Sequence, residues 1–295
     1  MASAIFLVSA PDQPGLVARF AGFFYELGLN IVDSSNHASR DESADRRFYM
    51  RLAVDTAGLA SARALDKLGE SASRRTLEAA FGALATELGA SWSVGYDDQR
   101  EKVALLVTKE SACLYDLVLR QRQGELPCEI ALVISNHAAL EPVAESFRLP
   151  FYALPVDAKT KAEQEQRILE LVKRHLVSLV VLARYMQILS ERFLDEAPPV
   201  INIHHGFLPA FQGARPYHQA FARGVKLIGA TAHYATKDLD EGPIIEQDVE
   251  RVHHGMSAEE LARVGRDVER VVLARAVRAH LERRVMVEGR RTIVL

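Results

Sequence analysis

Residues 176–182 read Leu-Val-Ser-Leu-Val-Val-Leu, six apolar side chains around one serine. A run this short and this apolar predicts a strand buried on both faces, the condition of a central strand in a parallel sheet. The same logic holds outward from it. Residues 103–107, 129–134 and 200–203 are further short apolar runs, while 138–147 and 162–175 carry helical spacing. Strands alternating with helices of this length predict an α/β architecture with an open, doubly wound, mostly parallel sheet. Ligands of such sheets bind outside the carboxyl ends of the strands. Residues 226–234 and 242–249 read as later strands. Ser257 and Glu260 form an S-x-x-E capping box ahead of a long helix with Leu261, Val264, Val268, Val271 and Leu281 along one side.

The first hundred residues follow a different rule. Residues 5–9 read as a strand, and Pro11-Asp12-Gln13-Pro14-Gly15 as a turn. Leu16, Phe20, Phe23, Phe24 and Leu27 then recur at helical spacing until Gly28. Residues 31–32 and 48–54 suggest two strands. Residues 74–88 form a helix with Leu77, Phe81, Leu84 and Leu88 on one stripe, and 91–96 a last strand. The order is βαββαβ, a small ferredoxin-like unit with helices on one face of an antiparallel sheet. Residues 97–102, Asp-Asp-Gln-Arg-Glu-Lys, are polar and without period. They divide the chain into an N-terminal domain (1–96), a linker (97–102) and a C-terminal domain (103–295).

Composition narrows the class. Of the 295 residues, 48% are hydrophobic and 25% charged, enough apolar mass to fill two cores. A formal net charge of -3 argues against a nucleic-acid partner. Cys113 and Cys128 lack C-x-x-C spacing and read as reduced buried thiols. The opening MASAIFLVSA has no basic leader region, and no apolar run reaches the roughly 18 residues of a membrane span. A cytoplasmic protein without a membrane partner is expected.

Three stretches carry chemistry. In Val200-Ile201-Asn202-Ile203-His204, Asn202 and His204 are two apart at a strand end and so share a face. Asn is a neutral donor for a developing oxyanion, and His moves a proton near neutral pH. His205 points the other way in an ideal strand and reads as structural. Asp240 stands in a turn before Glu241-Gly242-Pro243. It is either a carboxylate bonded to its own turn or one that orients a water or raises the basicity of His204. Tyr185, Met186, Ile188 and Leu189 follow the 176–182 run and fit either an apolar slot for a flat ring or the core-facing start of a helix. The histidines lack zinc-ligand spacing and no cysteine joins them, so no metal is expected. Neither G-x-S-x-G nor an activated cysteine is present.

Residues 103–250 resemble the folate-dependent formyltransferases. That family's N-I-H-P-S-L-L-P-like motif reads here Asn202-Ile203-His204-His205-Gly206-Phe207-Leu208-Pro209, with glycine where serine is usual. Its L-D-x-G-P motif reads Leu239-Asp240-Glu241-Gly242-Pro243. Nearly the whole chain is similar to the formyltetrahydrofolate deformylase family. The double His204-His205, the run Gly213-Ala214-Arg215-Pro216-Tyr217-His218, and Ile228-Gly229-Ala230-Thr231-Ala232-His233-Tyr234 carry that likeness. The resemblance implies hydrolysis of 10-formyltetrahydrofolate to formate and tetrahydrofolate, supplying formate for purine synthesis and balancing one-carbon folate pools, with no cofactor. It implies Asn202, His204 and Asp240 as catalytic residues. Folate contacts are implied at Arg184, Tyr185, Met186, Gln187, Ile188 and Leu189, and on a second wall at His233, Tyr234 and Lys237.

The PDQPGLVARF segment resembles an ACT domain. This implies an amino-acid effector near Asp12, Gly15, Asn30 and Ile31. The exposed edge of the small sheet favours pairing with a second copy, so a homodimer or homotetramer is expected. Transfer to an unknown acceptor and a non-catalytic sensor are the competing readings. Formyltransferases with phosphorylated acceptors resemble one another in a glycine-rich turn after the first strand. Here that turn is Thr108-Lys109-Glu110-Ser111-Ala112, without glycine and with a carboxylate that repels phosphate.

Overall fold

The computed structural model describes residues 3–39, 46–68, 73–210 and 215–295. The chain divides into two compact units.

The first unit comprises Met1–Gln99 with Arg283–Met286 and Ile293–Leu295. Its elements are β1 (Ser3–Pro11), α1 (Leu16–Leu27), β2 (Asn30–Ala38), β3 (Arg47–Asp55), α2 (Ala62–Leu68), α3 (Arg74–Glu87) and β4 (Ser91–Tyr96). The sheet order is β2-β3-β1-β4, antiparallel throughout. The expected βαββαβ order is present, with α2 added before α3. Helix α1 begins after Gly15 (φ 91) and stops at Gly28 (φ 72), whose left-handed backbone suits glycine. It buries Leu16, Phe20, Phe24 and Leu27. Ser73 and Thr76 form a capping box at the start of α3. Phe6 lies 4.6 Å from Phe81 and 5.1 Å from Phe24 between ring centroids, so this core is aromatic. Strand β2 runs nine residues where the sequence suggested two. Its polar Asp33-Ser34-Ser35-Asn36 stretch has no strand signature. Pairing with β3 at the sheet edge imposes the strand.

The second unit comprises Arg100–Glu282 and Val287–Thr292. In order come β5 (Glu101–Val107), α4 (Ala112–Arg122), β6 (Cys128–Ser135), α5 (Glu141–Ser146), β7 (Phe151–Ala153), α6 (Lys161–Arg174), β8 (Leu179–Leu182), α7 (Glu191–Glu196), β9 (Val200–His204), α8 (Pro216–Arg223), β10 (Leu227–Tyr234), β11 (Ile244–Arg251) and α9 (Ala258–Leu281). A two-stranded hairpin of β12 (Val285–Glu288) and β13 (Arg291–Val294) follows. The large sheet is ordered β11-β10-β9-β8-β5-β6-β7. Strands β5 to β9 are mutually parallel, and β10 runs antiparallel to its neighbours β9 and β11. All four residues of β8 are buried, as its apolar run requires. The capping box of Ser257 and Glu260 opens α9.

Two boundaries and one helix differ from the sequence reading. Residues 97–102 are not a free linker: Glu101 and Lys102 belong to β5 and pair with Cys128 and Glu129. Ladder hydrogen bonds join main chains, so a polar run enters a sheet when its backbone finds a partner. The segments Arg283–Met286 and Ile293–Leu295 group with the first unit, not with the rest of 103–295. Arg283 lies against Gly95, where a Cβ would stand 1.8 Å from its Nε. Helix α4 escaped the reading, although Cys113, Leu114, Leu117 and Val118 are its buried stripe. Among the described residues, no helix is long and apolar enough to cross a membrane.

Candidate active site

Strand β9 ends at His204, at the carboxyl edge of the sheet where an open α/β fold holds its ligands. The β9–β10 register sets Asn202 opposite His233, and His204 opposite Thr231. Cross-strand partners on one face touch, and Asn202 Nδ2 lies 3.2 Å from His233 Nε2. The other ring nitrogen of His233, Nδ1, lies 3.0 Å from the carbonyl oxygen of Tyr234. A carbonyl only accepts, so Nδ1 carries the proton and Nε2 accepts from the Asn202 amide. Burial lowers the His233 pKa, in keeping with this neutral tautomer.

Asp240 reaches the pair from the loop after β10. Its Oδ1 stands 3.3 Å from His204 Nδ1 and 3.9 Å from His233 Nε2, with all three side chains buried. The backbone of Asp240 has φ 58, a left-handed conformation that Asp tolerates better than most residues. Gly242 lets the loop close on β10, because a Cβ there would stand 1.7 Å from the Tyr234 carbonyl oxygen. Pro243 O then accepts from Tyr234 N at 3.0 Å. The register of β10 with β11 slips between Ala232 and His233, beside the site. Of the two readings of Asp240, the geometry favours the carboxylate that serves His204.

These groups line one cavity of about 270 Å³ together with Arg184, Tyr185, Met186, Gln187, Ile188, Leu189, His233 and Lys237. Residues 184–189 are irregular chain, not the start of a helix; α7 begins later, capped by Ser190. Met186 N donates to Thr108 Oγ1 at 3.1 Å, tying this wall to the turn after β5. Met186 and Ile188 are exposed on the wall. Tyr185 is buried, and its hydroxyl donates to Gln164 Oε1 at 3.3 Å. Lys237 Nζ meets Glu191 at 3.4 Å at the exposed rim. Tyr234 corrects the reading. Strand alternation turns it away from His233, and its hydroxyl lies 2.7 Å from His280 Nδ1 on α9, outside the cavity. Only its carbonyl oxygen serves the site.

Other polar groups were not legible as part of the site. Thr231 is buried and accepts from Leu208 N at 3.0 Å and Gln247 Nε2 at 2.9 Å, while donating to Gly206 O at 2.9 Å. It holds the loop after His204, the segment whose usual serine is Gly206. His205 follows the end of β9 and lines the same cavity. Burial, reinforced by the charges of Arg184 and His204, pushes its pKa down to about 3. Arg184 Nη1 lies 3.4 Å from Glu269 on α9, and Glu269 Oε1 accepts from the Tyr217 hydroxyl at 2.6 Å. Within 213–218, Gly213 and Ala214 lie outside the described residues. Among the described residues, no group of three or more histidine, cysteine and acidic side chains is placed to hold a metal ion.

The expected effector residues do not converge within one chain. Asn30 and Ile31 open β2 opposite Asp55 and Val54, and Ser3 also pairs with Asp55. Asp12 follows Pro11, which pairs with Arg47 at the far end of the same sheet. The nine residues of β2 separate the two ends by roughly 26 Å. Asp12 does not cap α1: Gly15 is the N-cap, with no side-chain cap. Asp12 instead shares a shallow depression with Asn36, His37, Ala38, Ser39 and Arg46.

Comparison with known proteins follows this anatomy. Residues 101–277 match the formyl transferase family, and residues 4–65 match the ACT domain. A formyltetrahydrofolate deformylase of Synechocystis sp. is 48% identical over 99% of this chain and 98% of its own. The crystal structure of a formyltetrahydrofolate deformylase from Pseudomonas syringae pv. tomato superposes with a TM-score of 0.91 at 44% identity, over 100% of this chain and 95% of that one. A glycinamide ribonucleotide transformylase from Symbiobacterium toebii aligns with 66% of this chain and 94% of its own, with a TM-score of 0.63 at 30% identity.

Proposed function

The chain belongs to the formyltetrahydrofolate deformylase family, and on that premise we propose that it hydrolyses 10-formyltetrahydrofolate at Asn202, His204 and Asp240. The observation that carries this site is the 3.3 Å contact of His204 with Asp240 in the cavity that Asn202 also lines. The pterin lies along Met186 to Leu189, with His233 and Lys237 on the opposite wall. Water adds to the formyl carbon, a C–O bond forms, and the C–N bond breaks. The folate nitrogen takes a proton, and formate and one proton leave.

Asp240 holds the water and the His204 Nδ1 proton, which leaves His204 Nε2 to face the reacting group. Asn202 is aimed by neutral His233 and donates to the oxyanion together with protonated His204. One such donor is worth roughly 3–4 kcal/mol in the transition state. No metal or cofactor has a role in this scheme.

The turn at 108–111 supports water over a phosphorylated acceptor. Glu110 sits there, 3.9 Å from Arg266, and its negative charge disfavours a phosphate.

The test is formate release by the purified full-length chain given 10-formyltetrahydrofolate and no acceptor. Stoichiometric release is expected. Turnover only with an added amine acceptor would make it a transferase, and folate binding without turnover a sensor. The formate would feed purine synthesis and the reaction would balance one-carbon folate pools, in the cytoplasm. The first unit supports an amino-acid effector and a homodimer or homotetramer. Asp12 and Asn30 are too far apart within one chain to share a ligand, so an effector contacting both needs a second copy. A thermal shift with free amino acids tests this, because a ligand bound only by the folded form raises the melting temperature.

A further inference from the structure

Arg184 stands just beyond β8 with φ 64, a left-handed conformation that disfavours a non-glycine residue. Its guanidinium lies near Glu269 and acts on His205. Yet Nε and Nη1 are buried and donate a hydrogen bond to no described residue. A buried charged donor left without a partner is costly, and among the described residues the site lacks an acceptor.

Glu269 does not supply it. Its Oε2 stops 3.4 Å from Nη1, and its Oε1 is committed to the Tyr217 hydroxyl. Tyr217 is held there by Gly265, where a Cβ would come within 2.1 Å of its ring. Burial raises the Glu269 pKa against the pull of Arg184, which weakens it as a counter-charge. His205, which lines the same cavity, is neutral and adds no competing cation. Arg184 and His205 line the same cavity as Asn202, His204 and Asp240. An acceptor that arrives in that cavity would satisfy both donors. A guanidinium is matched best by a planar carboxylate, and the hydrolysis creates one there.

We propose that Arg184, with His205 beside it, forms a carboxylate subsite that receives formate from the scissile carbon; this rests on the hydrolase reading above. Moving formate to Arg184 takes its charge away from Asp240. His204 is then free to manage the proton owed to the folate nitrogen.

The test uses carbon-13 formate and the full-length protein with bound tetrahydrofolate. Binding is followed by NMR line broadening, and formate inhibition of turnover is measured alongside. Wild type should bind formate saturably. Arg184→Met should weaken binding at least tenfold, and Arg184→Lys should restore part of it. Removing Arg184 leaves Glu269 buried without its counter-charge, so the paired variant Arg184→Met with Glu269→Gln guards against misfolding. It should show the same loss with a wild-type melting temperature. Absence of saturable formate binding to wild type, or wild-type affinity in the Arg184→Met variants, would overturn the subsite while leaving hydrolysis intact. If wild type releases no formate from 10-formyltetrahydrofolate, the hydrolase reading fails and the subsite falls with it.

Discussion

The two units bury different things. Among the described residues of the first, the buried polar side chains are Ser9, Ser39 and Thr56, with the phenols of Tyr49 and Tyr96. In the second they are Ser135, Asn136, Gln164, Glu165, His204, Thr231, His233 and Glu269. Burying polar and ionisable groups costs free energy unless they are hydrogen-bonded or paired. A unit whose interior is apolar matter, small hydroxyls and phenols is built for stability. One that buries histidines and carboxylates has given up stability for chemistry. The first unit is held by Phe6, Phe20, Phe24 and Phe81; the second places reactive groups around one cavity.

The sharpest way to break this contrast is at Asp240. Asp240→Asn keeps shape and removes charge, and should cut turnover about a thousandfold or more, within the range of a lost acid–base group. Folate affinity should change little, since residues 186–189 are untouched. Near-normal turnover under saturating substrate would remove Asp240 from the reaction. His204→Ala and Asn202→Ala should each cost about a hundredfold. Because both serve one transition state, the double variant should lose less than the product of the two. Strict multiplicativity would argue for separate roles.

His233→Phe keeps the ring but frees the Asn202 amide. Turnover at saturating substrate should fall about tenfold, and adding this change to Asn202→Ala should cost little more in turnover, since its effect on the chemical step passes through Asn202. Independent, fully additive losses would give His233 a role of its own.

Phe81→Ala tests the other side of the contrast. It should destabilise the first unit by about 3–5 kcal/mol, as large-to-small core changes do, and leave turnover per folded molecule unchanged. Lost turnover in protein shown to be folded would join the units in function. The smallest effect concerns acid. The folded-state pKa of His205, about 3, lies below that of an unfolded histidine, about 6.5. On acidification the unfolded chain takes the proton first, so stability falls as pH drops from about 6.5 toward 3. His205→Gln should reduce the slope of melting temperature over that window, leaving the part owed to buried His233; an unchanged slope would place the dependence elsewhere.

Much of this was legible in the residues. Period and capping placed α1, α3, α6 and α9, because amphipathic spacing and caps are local. The apolar 176–182 run announced a buried parallel strand, which is β8. Leu176, however, is three-quarters exposed at the turn after α6. Asn202 and His204, two apart at a strand end, share a face by backbone geometry alone.

What stayed hidden depends on partners distant in sequence. The sequence placed His233 and Tyr234 together on the folate wall. Only the β9–β10 register decides that His233 meets Asn202 while Tyr234 turns to His280. Strand β2 is a strand because β3 offers it an edge, and 97–102 is not a linker because β6 takes up Glu101 and Lys102. The likeness of the first unit to an ACT domain did not reveal that Asp12 and Asn30 stand at opposite ends of one sheet. No spacing rule links Arg184 to Glu269 or to Tyr217. Local pattern thus determined which elements form and which side chains could be chemical, because helix and strand periods act over a few residues. Register and helix packing decided which of those side chains meet, because charge and hydrogen bonding act through space and not along the chain.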